Sequence, residues 1–174
     1  DVLRTYVLFM GDYEQAAPWS ESSVKGCKRF IDRLWKLQEM TTDSDEYSKE
    51  LSSAMHKTIK KVSEDIEAMK FNTAIAAVMT LLNQIYDKGS ITRAELRDLL
   101  LIVNPFAPHV TEEIWEQMNF GGMLNEAACP TYDEAKTVDD TVEIVLQVMG
   151  KVRSRITIPV DMPQDEVIAL AKED

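Results

Sequence analysis

Six apolar residues, Leu51, Met55, Ile59, Val62, Ile66 and Met69, step along the chain by 4, 4, 3, 4 and 3. Only a long α-helix places such a series on one side, and only neighbouring helices can bury a stripe of that length. The same reading extends in both directions. Val24, Cys27, Ile31, Leu34 and Trp35, flanked by Phe30 and Leu37, predict a helix over 20–38. Ile75, Val78, Leu82 and Ile85 predict another, opened by Asn72 as its cap and closed by Gly89. Thr92 and Glu95 have the spacing of a capping box for a fourth, burying Leu96, Leu99, Leu100 and Val103. A shorter fifth helix should bury Ile114, Trp115 and Met118 before the Gly121-Gly122 turn. For the long helix, the polar run before it offers Asp43 or Ser44 as a cap.

Short connections between amphipathic helices make antiparallel neighbours, so the fold class expected is mainly α: a helical bundle over 1–120. Residues 121–141 read as a connector. After Thr141 the period drops to two, with Val142, Ile144, Leu146 and Val148 alternating along a first strand, a turn at Gly150 and a second β-rich run. With a helix over 163–172 this makes a small ββα unit at 142–174. A lone hairpin and one helix bury little surface, so a second domain is expected to begin here without being completed. The uncapped apolar run at the start points the same way, to a piece of a longer chain.

Charge narrows the function. The net charge is −11, yet seven of the eleven excess negative charges fall in 101–140, which has one basic and eight acidic residues. Elsewhere cations gather on particular faces. Lys25, Arg29, Arg33 and Lys36 project within about 80° of one another on the helix over 20–38, with no acid expected at their centre. Such a stripe can meet backbone phosphates, although a solvated helix face has the same spacing. Lys151, Arg153 and Arg155 alternate on the second strand, and strict alternation would set them on one face. His56, Lys57, Lys60 and Lys61 form a third group, but Glu64 and Asp65 follow at ion-pairing distance on the same helix.

Covalent chemistry finds no support in the residues. Glycine-rich phosphate loops, HExxH and GxSxG are absent, and no catalytic, cofactor or metal residue is assigned. Cys27 and Cys129 read as free thiols. His109, beside Pro105 and Pro108, reads as a structural residue bonding free backbone groups where the prolines break the helix, and Phe106 as the plug of the bundle's end. No apolar run is long enough to span a bilayer, so a cytoplasmic protein without membrane contact is expected.

Several segments carry a resemblance. "DVLRTYVLFM", "PWSESSVKGCKRFIDRLWKL", "HKTIKKVSEDIEAMKFNTAIAAVMTLLN", "LLLIVNPFAPHVTEEIWEQM" and "VEIVLQVMGKVRSRITIPV" resemble, in order, the segments after the KMSKS loop of bacterial-type leucyl-tRNA synthetases. Trp19, Gly26, Arg29, Phe30 and the run from Pro105 to Trp115 are shared with the isoleucine and valine enzymes. The segment from His56 and the hairpin resemble the leucine enzyme in particular. The resemblance implies an anticodon-binding helical domain followed by the start of the C-terminal domain. It implies tRNA(Leu) and the remainder of the synthetase as partners, a monomer, and ATP and magnesium as requirements of the parent enzyme, with no cofactor in this stretch. It also implies that Lys25, Arg29, Arg33, Lys36, Lys151, Arg153 and Arg155 position the tRNA backbone rather than read bases. Two positions depart from the family pattern: Met149-Gly150 replaces Asn-Gly at the hairpin tip, and Pro18 replaces an acid before Trp19. A valine- or isoleucine-type enzyme, or a helical interaction module without enzymatic role, remain the alternatives.

Overall fold

The computed structural model describes residues 1–11, 16, 18–137, 141–148, 151–159 and 162–173. The chain divides into two compact units, Asp1–Lys136 and Thr137–Asp174.

The first unit contains helices α1 (Val2–Phe9), α2 (Glu21–Lys36), α3 (Lys49–Glu67), α4 (Phe71–Lys88), α5 (Arg93–Val103) and α6 (Pro108–Gln117). Two-residue strands β1 (Thr41–Thr42) and β2 (Ile91–Thr92) pair in parallel between them. The α3 stripe is buried from Leu51 through Val62, facing α4 and α5. It stops short of the sequence expectation, because α3 ends at Glu67 and Met69, 61% exposed, turns the chain with a left-handed φ of 57°. Ile75, Val78, Leu82 and Ile85 are buried on α4 as predicted, and Gly89 closes that helix at φ 79°. Asn72 is not its cap. The cap position falls two residues earlier, at Lys70, and Phe71 opens the helix with its ring edge against Phe106, which places Asn72 in the first turn.

The start of α3 also differs from expectation. Neither Asp43 nor Ser44 caps it; the cap position falls to Ser48. Thr41 and Thr42 are held extended by pairing with Ile91 and Thr92, and the Ser44 carbonyl accepts from Ala94 N at 3.1 Å, so the chain has to travel further before it can coil. The Thr92–Glu95 capping box forms with both of its bonds. Glu95 does more than the motif requires. It is 0% exposed, and its Oε1 accepts from the Ser48 backbone N–H at 2.7 Å and the Ser48 hydroxyl at 2.5 Å, while Oε2 accepts from Thr92 N at 2.8 Å. One carboxylate therefore satisfies donors where two helices begin.

The proline corner between α5 and α6 is covered by α1, which the sequence reading did not assign as a helix. Arg4 Nε donates to the Pro105 carbonyl at 3.0 Å and the Thr5 hydroxyl to the Phe106 carbonyl at 3.2 Å. The Asp1 carboxylate accepts from Val110 N at 2.6 Å and His109 N at 3.3 Å, capping the start of α6 from outside. Phe106 is buried as expected. The His109 ring does not bond backbone groups; its Nδ1 lies 2.8 Å from Asp1 Oδ1, and the side chain is 88% exposed. Helix α6 buries Ile114 and Trp115 and leaves Met118 only partly covered. Beyond it, Leu124 is buried, with its N–H on the Glu112 carboxylate at 2.8 Å, so the first part of the expected connector packs on the helices.

The second unit has an antiparallel hairpin of β3 (Thr141–Val148) and β4 (Lys151–Pro159), then α7 (Gln164–Glu173). The ββα order is that expected. The Met149-Gly150 tip lies outside the described residues. Among the described residues no helix is long and apolar enough to cross a membrane.

Replacing Glu95 by Ala strands the Ser48 and Thr92 donors and is expected to cost about 3 kcal/mol. Replacement by Gln, which keeps one acceptor oxygen, should cost roughly half as much. Urea denaturation checks both: the midpoint should fall in that order at unchanged slope.

Candidate nucleic-acid interface

Helix α2 forms because Ser20 caps it, its hydroxyl accepting from Ser23 N at 3.4 Å, and because one face is apolar. That face is Cys27, Phe30, Leu34 and Leu37, stepping by 3, 4 and 3. It is rotated from the predicted one: Phe30 and Leu37, expected on the flank, are buried, while Trp35, expected inward, is 40% exposed. Packing against α1 and α6, with hydrogen bonds to α4, fixes this orientation and so decides which cations reach solvent.

Lys25, Arg29 and Lys36 are exposed, and among the described residues none has an ion-pair partner. They run along about 16 Å of helix at 1.5 Å per residue. The stripe is not free of acid. Asp32 lies beside it, exposed, and is held by Lys28 at 2.7 and 2.9 Å, which neutralises the carboxylate within the helix.

Arg33 behaves differently from the other three. Its Nη1 donates to Asn83 Oδ1 at 2.8 Å, its Nη2 to the Leu82 carbonyl at 3.4 Å, and its guanidinium lies 4.4 Å from the Tyr86 ring centroid. The Tyr86 hydroxyl donates back to the Arg33 carbonyl at 2.9 Å. The side chain is half-buried and bolts α2 to α4. A helical projection cannot separate Arg33 from Arg29, since the distinguishing partners lie about fifty residues away in sequence.

On the hairpin, the pairing register shifts between Leu146 and Gln147: Leu146 faces Ser154 and Gln147 faces Val152, leaving Arg153 as the extra residue of a bulge. The strict alternation expected from Lys151 through Arg155 is therefore interrupted. Arg153 is exposed; the side chains of Lys151 and Arg155 lie outside the described residues.

The third basic group is largely engaged within the first unit. Lys61 pairs with Asp65 at 2.6 Å, and Asp65 also accepts from the Thr73 hydroxyl at 2.7 Å. Burial opposes charge on Asp65, but Lys61 and Thr73 outweigh it and hold the carboxyl below its usual range. Lys60 reaches Glu134 at 2.6 Å instead of an acid on its own helix. His56 is buried.

What remains is a solvated row of cations on one helix of an acidic protein. The model of the anticodon-binding domain of tRNA ligase matches residues 48–169. The chain belongs to this family. It is 52% identical over 167 residues to a leucine–tRNA ligase of Alkaliphilus oremlandii (strain OhILAs), covering 96% of this chain and 21% of that protein. Among solved structures it is similar to the agnB2 LeuRS of Agrobacterium radiobacter K84, crystallised as a ternary complex with tRNA and LeuAMS. The TM-score is 0.72 at 25% identity, over 97% of this chain and 24% of that one. The chain thus spans about a fifth to a quarter of the length of these relatives.

Within this anticodon-binding domain, Arg33→Ala removes two hydrogen bonds and a cation–π contact and is expected to lower stability by about 1–2 kcal/mol. Arg29→Ala should change it by less than about 0.5 kcal/mol. Thermal or urea unfolding of the two variants side by side tests the division between the bolt and the exposed row.

Proposed function

We propose that this domain docks tRNA(Leu) through its sugar-phosphate backbone on behalf of a leucine–tRNA ligase. The exposed row Lys25, Arg29 and Lys36 is the observation that carries the reading. Three unneutralised cations on one helix face of a chain with net charge −11 form a local site to which a polyanion can bind despite repulsion from the rest of the surface. Contacts of this kind fix register and orientation and carry no sequence information. Arg153, with Lys151 and Arg155 on the same strand, supplies a second set of backbone contacts in the second unit. The 52% identity to a leucine–tRNA ligase favours leucine over valine or isoleucine as the amino acid of the parent enzyme.

In this reading the parent ligase uses ATP and magnesium to form leucyl-adenylate and transfers leucine to the tRNA, in the cytoplasm, as a monomer. The chain described here adds no catalytic group. Its contribution is positional: docking at a distance fixes where the acceptor end lies and lowers the entropic cost of bringing it to the catalytic centre.

Fluorescence anisotropy with labelled tRNA(Leu) across a salt series tests the proposal. Wild-type chain should bind weakly and lose affinity steeply as salt rises. Arg29→Glu and Lys36→Glu should each weaken binding and flatten the slope of log K against log salt by about one. Arg33→Ala should leave that slope unchanged. Affinity and slope indifferent to Arg29 and Lys36 would instead favour a helical interaction module.

A further inference from the structure

The stretch Thr131–Lys136 lies across the middle of α3. The Asp133 backbone N–H donates to His56 Nδ1 at 3.2 Å. Glu134 pairs with Lys60 at 2.6 Å, and the Lys60 ammonium stands 5.8 Å from the Tyr132 ring centroid. Glu134 and Lys136 belong to a 3₁₀ turn, and the Asp133 carboxylate accepts from Ala135 N at 3.0 Å, so the strap is locally ordered around the bond to His56.

That bond has a chemical condition. Nδ1 can accept only while it carries no proton, which requires the neutral imidazole in its Nε2–H form. A protonated ring would offer two donors, and the Asp133 N–H would face one of them. Protons have a route in: a polar cavity of about 530 Å³ is lined by Glu46, Tyr47, Ser52, His56, Asp98, Thr131 and Lys136.

We propose that Thr131–Lys136 is a proton-released strap, held on α3 by neutral His56 and set free when that ring is protonated.

The charged groups around the ring set the direction. Burial, reinforced by Lys136 of the strap, holds the imidazole below its ordinary value against the opposing pull of Asp133 and of Asp98 on α5. From the loop before α3, the Tyr47 ring lies 5.3 Å away, tilted by 46°. The Tyr47 phenol donates to Asp98, and burial followed by that bond pushes its pKa far up, so it stays neutral and adds no charge. Glu46 lines the same cavity. With the strap open, His56 gains water and loses the Lys136 field, and its affinity for a proton rises. The closed state is therefore fully favoured above the ordinary histidine value of about 6.5 and weakens as pH falls below it, towards the closed-state value. Opening would also withdraw Glu134 from Lys60 and add a cation to the surface of α3.

Hydrogen exchange at the Asp133 amide, corrected for the intrinsic rate, reads the closed-to-open ratio directly in the whole chain. Between pH 7.5 and 5 its protection should fall by up to about tenfold per unit below 6.5, one proton being taken up. The fall should track His56 ring signals in an NMR titration whose midpoint lies below 6.5. His56→Asn, which keeps an acceptor near the Nδ1 position and does not titrate, should stay protected across the range. Protection that does not change with pH in the wild type, a His56 midpoint at or above 6.5, or an equal loss in His56→Asn would each overturn the proposal. The two wild-type readouts decide it even if the variant fails to fold.

Discussion

A single buried carboxylate ties the start of α3 to the start of α5. Glu95 has no exposed surface, and its two oxygens are shared between Ser48 and Thr92. Burying a charge of this kind is costly unless its hydrogen-bonding capacity is filled, and here three donors converge on it. The short parallel pairing of β1 with β2 brings the two helix starts into reach, and the Glu95 bonds fix them there. The direction of α3, and therefore the surface on which α4 packs, follows from that junction.

A second junction uses the same chemistry at the other end of α5. Prolines remove the option of a continuous helix and leave carbonyl and N–H groups without intrahelical partners. α1 supplies what is missing: Arg4 and Thr5 donate to the carbonyls of Pro105 and Phe106, and the Asp1 carboxylate receives the N–H groups opening α6. Phe106 then fills the space between, against Phe71 of α4. His109 belongs to this corner as a ring held by Asp1, and its position among the breaks in the helix explains its prominence in the sequence without any chemistry.

These internal demands decide which cations are left for a ligand. Arg33 is engaged by Asn83, Leu82 and Tyr86, Lys61 by Asp65 and Lys60 by Glu134. Lys25, Arg29 and Lys36 are the exposed cations of α2 with no ion-pair partner among the described residues, while Lys28 is held by Asp32. A sequence projection groups all basic residues on a face by angle alone. Packing sorts them by what else lies within a few ångströms, and that second sorting separates an exposed row from a structural bolt.

The sequence by itself determined the succession of helices from α2 to α6, the capping box at Thr92, the closing role of Gly89 and the change to a hairpin after Thr141, but not α1. Each of these rests on residues within a few positions of one another, where periodicity and local hydrogen bonding carry the information. Only the tertiary structure decided that Ser48 rather than Asp43 or Ser44 opens α3, that Trp35 faces outward and that Arg33 turns to α4. The same is true of the strap on His56 and of the bulge that interrupts the basic strand. Those outcomes depend on partners separated by tens of residues, or on a one-residue shift in strand register, and neither distance nor register is written in the local pattern.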